Sequence, residues 1–212
     1  MPEEISPLDN FWNTFSVLAN DVSRCMKVLQ DPQVTDSVEI MFWDRALARS
    51  FFALLEGTAY GMTWLAYDYV QTHEDHHLSS AEVEALRYGY DFDDSIEPEV
   101  KYSPAPLLAK IQWAFDVFAR VHRVDDFKMC DSDEWMLMVK MFAIREMYEY
   151  ARTPDDLIIY EPAREALIEG ATWFMTRVIQ LIERCHHGME AYRLTSNSEG
   201  DVWESDANDF VM

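Results

Sequence analysis

Glycine is scarce: six in 212 residues. The chain has no G-x-x-x-x-G-K-[ST], no G-x-G-x-x-G and no G-x-S-x-G. That leaves nothing from which to build a phosphate-cradling loop or a nucleophile elbow. Cysteine is as rare. Cys25, Cys130 and Cys185 stand far apart, with no CxxC pair. The first ten residues carry no apolar secretory stretch. The expected setting is a reducing cytoplasm with free, buried thiols. Positive charge is short too, 17 basic against 39 acidic residues, for a net charge of −22. Such a surface repels nucleic-acid phosphates over most of its area, so any such contact needs a local basic spot or a basic partner. Strand-like alternation is missing throughout, and Leu157 to Tyr160 is the only short run that approaches it.

Apolar surface is abundant. Aromatics make up 14% of the chain and there are 12 Met, enough for one sizeable core. Phe51 to Val70 is nearly apolar over the length of a membrane span. Glu56 inside it, Asp68 near its end and a mean hydropathy of −0.23 argue against the bilayer. The periodicity instead predicts helices. A first helix, capped by Asp9 or Asn10, runs to about Leu29 and is stopped by Asp31-Pro32. A second opens at Thr35 to Ser37 and extends to Tyr69 or Thr72, with a stripe through Leu47, Phe51, Leu54, Thr58, Met62 and Leu65. Its small stripe, Ser50, Ala53, Gly57 and Gly61, needs a compensating close contact, because a helical glycine costs about 1 kcal/mol against alanine. Gly57 and Gly61 are therefore candidate interface residues, toward another helix of the chain or a second copy.

Ser79 and Glu82 predict a capping box for a short third helix ending near Tyr88. Gly89 to Lys101 is an acidic stretch with no apolar period. Ser103-Pro104 opens a helix to about Arg123. Trp135 to Leu157 follows, apolar on every side over its first ten residues apart from Lys140, which predicts a helix buried in the middle of the core. Pro162 starts a last long helix that Gly188 ends. The sum is an all-α, up-and-down bundle of four to five long helices plus a short one. One domain spans residues 1–195, followed by an acidic C-terminal tail, 196–212.

Polar chemistry collects at the end of the fifth helix: Arg145, Glu146, Tyr148, Glu149, Tyr150 and Arg152. Arg145 continues an apolar face and cannot shed its charge, so it needs a carboxylate. Glu149, four residues on, and Glu56, on the second helix, are the candidates. His73-Glu74-Asp75-His76-His77 contains H-E-x-x-H but has no third ligand at a suitable spacing. Glu74/His77 and Glu183/His186 match Glu-x-x-His, yet both face away from the predicted core. No metal and no cofactor is expected.

Two stretches, WDRALARSFFALLEGTAYGMTWLAYDY from Trp43 and MFAIREMYEYARTPDDLIIYEPAREALIEGATWF from Met141, resemble the HEPN superfamily, helical-bundle proteins of toxin–antitoxin and phage-defence systems. The resemblance implies a HEPN-like bundle, a homodimer and, in its nuclease members, metal-independent RNA cleavage by an Arg followed four to six residues later by a His. Arg145 stands at the Arg position and Tyr150 where the His belongs. A phenol with a pKa of about 10 is a poor general base at neutral pH. The expectation is therefore a catalytically degenerate bundle that acts by binding a basic protein partner. The alternative is a ribonuclease using Arg145 with Tyr150, supported by Glu56, Glu149, Tyr148 and Arg152; a metal-dependent bundle enzyme ranks third.

Overall fold

A computed structural model describes residues 6–73, 77–88, 104–124, 127–129, 133–149 and 153–196; within these, the side chains of 87, 88, 104–106, 134, 146–149, 154, 156 and 186–196 are left undescribed. The described residues are all-helical, with no strand among them. In chain order they form α1 (Pro7–Leu29), α2 (Ser37–Thr72), α3 (Ser80–Tyr88), α4 (Pro104–Val121), α5 (Asp133–Glu149), a 3-10 turn (Pro154–Leu157) and α6 (Glu161–Ser196). Among them, no helix is long and apolar enough to cross a membrane. The strand-like run Leu157 to Tyr160 is the end of this 3-10 turn and a short irregular lead into α6.

The caps show why the helices begin where they do. The first helix starts earlier than Asp9: Ser6 is its N-cap, its hydroxyl accepting from Asp9 N–H at 3.1 Å, with Pro7 in the first turn. Asp36 caps α2, accepting from Val38 N–H at 2.8 Å. The capping box of α3 is formed in both directions. Ser79 N–H donates to Glu82 Oε2 at 2.8 Å, and Glu82 N–H donates to Ser79 Oγ at 3.3 Å. α4 closes with Arg123 at φ 59°, a left-handed position, and Val124 N–H reaches Ala119 O at 2.8 Å. This six-residue closure is usually given to glycine. Gly188 does not end α6, which continues to Ser196. An interior glycine costs about 1 kcal/mol, too little to break a helix without a cap behind it.

The organising element is α2. It packs against α1, α3, α4 and α6. Phe51, Leu54, Leu55 and Met62 are fully buried along it, and Phe51 meets the Phe174 ring edge-on at 6.2 Å. Phe115 of α4 joins the same group, 5.8 Å from Phe174. A smaller core, Ala66, Val70, Leu86, Val117 and Val121, lies where α3 covers α2 and α4. The helix expected at the centre, α5, is a flanking one. Met138, Met141 and Phe142 are buried, but Met136, Val139, Lys140 and Ala143 are exposed. An apolar run without periodicity fixes neither depth nor facing; among the described residues α6 and α4 pack on one side of α5, and Met136, Val139, Lys140 and Ala143 stay exposed on another.

The small stripe of α2 is occupied from within the chain. A Cβ on Gly57 would sit 2.7 Å from Leu18 Cδ1, and one on Gly61 would strike the Phe11 ring. Both contacts come from α1, which runs antiparallel to α2. Of the two partners the sequence leaves open for Gly57 and Gly61, α1 fills the space a second copy would need.

Candidate functional site

Arg145 projects from the C-terminal part of α5 toward α2. One guanidinium nitrogen lies 2.9 Å from Glu56 Oε1, and its carbon lies 5.6 Å from the centre of the Phe52 ring. Phe52 in turn packs edge-on against Phe142 at 5.5 Å. The arginine is thus held by a carboxylate and an aromatic face, with 24% of its side chain exposed. Of the two carboxylates that the sequence offers Arg145, Glu56 is in contact with it, and the side chain of the other, Glu149, lies outside the described residues. The side chains of Tyr148 and Glu149 lie outside the described residues, as do Tyr150 and Arg152 entirely. Around Arg145, the Glu56 carboxylate offsets the cation and the Phe52 face packs against it.

A second ion pair was not legible in the sequence. Asp44 of α2 is 1% exposed, and Arg164 of α6 grips it with two hydrogen bonds, Nε to Oδ1 at 2.6 Å and Nη2 to Oδ2 at 2.7 Å. Asp44 raises the Arg164 pKa further, chiefly through those hydrogen bonds. The fork matches the carboxylate edge-on, the geometry that makes arginine pairs strong. The signal was there: Asp44 falls between Trp43 and Leu47 on a helix otherwise apolar inward, and a buried acid demands a partner. The partner lies 120 residues away, where spacing rules have no reach.

A third cluster gathers at the end of α2. His73 stacks on Tyr69 with ring centres 4.0 Å apart, and the His122 ring meets Tyr69 nearly edge-on at 5.0 Å. Phe118 closes on His122 at 4.5 Å. His122 Nδ1 is buried without a hydrogen-bond partner. Burial, and then the neighbouring His73, lower the His122 pKa to about 4, so the imidazole is neutral near pH 7. His73 Nδ1 faces Thr72 Oγ1 at 2.8 Å and Tyr69 O at 3.1 Å. These contacts knit α2 to the end of α4.

No group of three or more His, Cys, Asp or Glu able to hold a metal ion occurs among the described residues. Glu74 and His76 lie outside them, His77 and Glu183 are exposed, and the His186 side chain is undescribed. Burial raises the thiol pKa of Cys25 and pushes that of Cys185 up to about 12, so neither is a ready nucleophile. Cys130 lies outside the described residues. No family model matches the chain, and neither a curated protein nor a solved structure matches it.

Proposed function

We propose that this chain works by binding and not by catalysis, as a HEPN-like helical bundle whose acidic surface takes a basic protein partner, of the kind used in defence and toxin–antitoxin systems. The observation that carries the reading is the engagement of Arg145 by Glu56. A guanidinium with a carboxylate at 2.9 Å has its charge partly offset, which weakens its pull on a phosphate. Arg120 and Arg164 are likewise tied to carboxylates of the chain. With 39 acidic and 17 basic residues, the net field is strongly negative. A cation-rich, nucleic-acid-handling protein is the partner this charge suits.

The test is capture from the native host at about 50 mM salt, followed by elution at about 500 mM, where screening shrinks the Debye length roughly threefold. Basic proteins should come off with salt. A catch that stays bound at high salt contradicts the reading. A parallel incubation with single-stranded RNA compares the wild type with Arg145→Ala. Cleavage by the wild type that the variant loses would favour the ribonuclease alternative.

A further inference from the structure

The outer face of α4 carries a half-buried tryptophan beside a carboxylate. Trp113 lies one turn before Asp116, and Ala109 and Gln112 complete the same face of the helix. The chain returns to α4 at 127–129, where Phe127 and Met129 are buried. Together these residues line a cleft of about 440 Å³. That volume falls within the range of small-ligand sites, ~300–1,000 Å³. The returning wall is fixed from behind. Phe115 stacks on the Phe127 ring at 6.2 Å, and the Arg177 guanidinium lies 4.4 Å from the centre of that ring. Arg177 Nη2 also donates to Lys128 O at 3.0 Å. The cleft is thus formed before anything enters it, which lowers the cost of binding there. Arg120, further along α4, serves two carboxylates. Its Nη2 donates to Glu82 Oε1 at 2.6 Å. Its Nε lies 3.1 Å from Asp116 Oδ2 but makes no hydrogen bond there. Two anions around one cation leave one negative charge over. Asp116 is the carboxylate held less firmly, with 59% of its side chain exposed. Lys128 and Gln112, which also line the cleft, have partners of their own.

We propose that this cleft receives an arginine side chain of the basic partner, with the guanidinium stacked on the Trp113 indole and paired with Asp116. The inference rests on the binding reading above and names the residue through which the partner is anchored. A guanidinium is planar and weakly hydrated. An aromatic ring and a carboxylate one helical turn apart satisfy its face and its edge together. An ammonium is compact and strongly hydrated, so it gains less from the same indole. The aliphatic stem of the arginine covers the apolar lining that Phe127 and Met129 supply. The long-range field of a chain of net charge −22 draws basic partners to the whole surface, whereas a seated arginine fixes where one of them stops.

The indole N–H signals in the NMR spectrum of the full chain test it. There are seven tryptophans, and Trp113→Phe identifies which signal belongs to Trp113. The probe is a Gly-Arg-Gly peptide blocked at both ends, at about 150 mM salt, near physiological screening. It should shift the Trp113 signal saturably, with a Kd of about 1 mM. Asp116→Asn should weaken that binding about five-fold, the effect of one partly exposed ion pair. A blocked Gly-Lys-Gly peptide should bind about three-fold more weakly than the arginine peptide. Far-UV circular dichroism of Asp116→Asn should match the wild type. A Trp113 signal that does not move, equal responses to the two peptides, or an unweakened Asp116→Asn would overturn the proposal, and so would an equal drift of all seven indole signals. The salt-eluted capture separates this claim from the one beneath it. Asp116→Asn should retain less of the basic catch than the wild type at the same salt. If it retains as much, the cleft is not the anchor and the binding reading stands. If the wild type captures no basic protein while the arginine peptide still fills the cleft, the binding reading falls and with it the partner assigned to the cleft.

Discussion

Individual side chains carry the two sharpest energetic consequences. Asp44 and Arg164 are hydrogen-bonded at 2.6 and 2.7 Å, and Asp44 has almost no solvent. Removing one member of a buried pair leaves the other charge without compensation, at a cost of about 3–5 kcal/mol. Asp44→Ala should lose about that much by urea unfolding, and its midpoint should fall without a change of slope. A loss below about 1 kcal/mol would mean that water reaches Arg164 more freely than its packing indicates. His122 acts through pH. Its folded pKa, about 4, lies below the unfolded value of 6.5. The unfolded chain therefore takes up the proton first, and stability is complete above about pH 6.5 and declines as pH falls toward 4. The full effect is at most about 3 kcal/mol, at 1.36 kcal/mol per pKa unit. His122→Gln should flatten that part of the stability profile. Glu82 works in a lower window: Arg120 and the Ser79 cap hold its pKa at about 2. Its contribution is present above about 4.5 and is lost as pH falls through 2, so the two titrations separate.

Among the helices, the α1–α2 hairpin offers a paired experiment. Alanine at either glycine gains about 1 kcal/mol of helix propensity. At Gly57 the new methyl meets the end of a Leu18 side chain, which can rotate away. At Gly61 it meets the buried Phe11 ring, which is itself stacked on Phe15 at 6.1 Å and has nowhere to turn. Gly57→Ala should therefore be neutral or slightly stabilising, whereas Gly61→Ala should lose about 1–3 kcal/mol by overpacking. Equal thermal shifts in the two variants would contradict this account of the hairpin. Most helix positions were legible beforehand, because proline, Ser79 with Glu82, and runs of Leu and Phe at steps of three and four act locally. Two ends were not. Ser6 caps α1 by reaching Asp9, a contact that competes with Asp9 and Asn10 as caps in their own right. Gly188 looks like a stop but lies inside a helix. Depth was the larger miss. The run from Trp135 is apolar on all sides, but burial depends on how many neighbours arrive, and for α5 they arrive on one side only.

For the molecule as a unit, charge and packing pull in opposite directions. A net charge of −22 over 212 residues works against compaction, and the core must exceed that self-repulsion. Raising salt from about 10 to 300 mM shortens the Debye length from about 30 Å to about 6 Å, so the melting temperature should rise by a few degrees. A fall instead would show that specific pairs such as Asp44–Arg164 and Glu82–Arg120 outweigh the general repulsion.

Composition and periodicity alone settle that this chain is helical, because those signals act over three or four residues and need no knowledge of what lies opposite. They also settle the sign of its surface, a simple sum of ionised side chains. Which helix becomes the hub, which carboxylate of α2 meets Arg145, and that Asp44 meets Arg164 depend on contacts between residues tens of positions apart. Such contacts are set by the three-dimensional packing of one face against another, and no spacing rule along the chain encodes them.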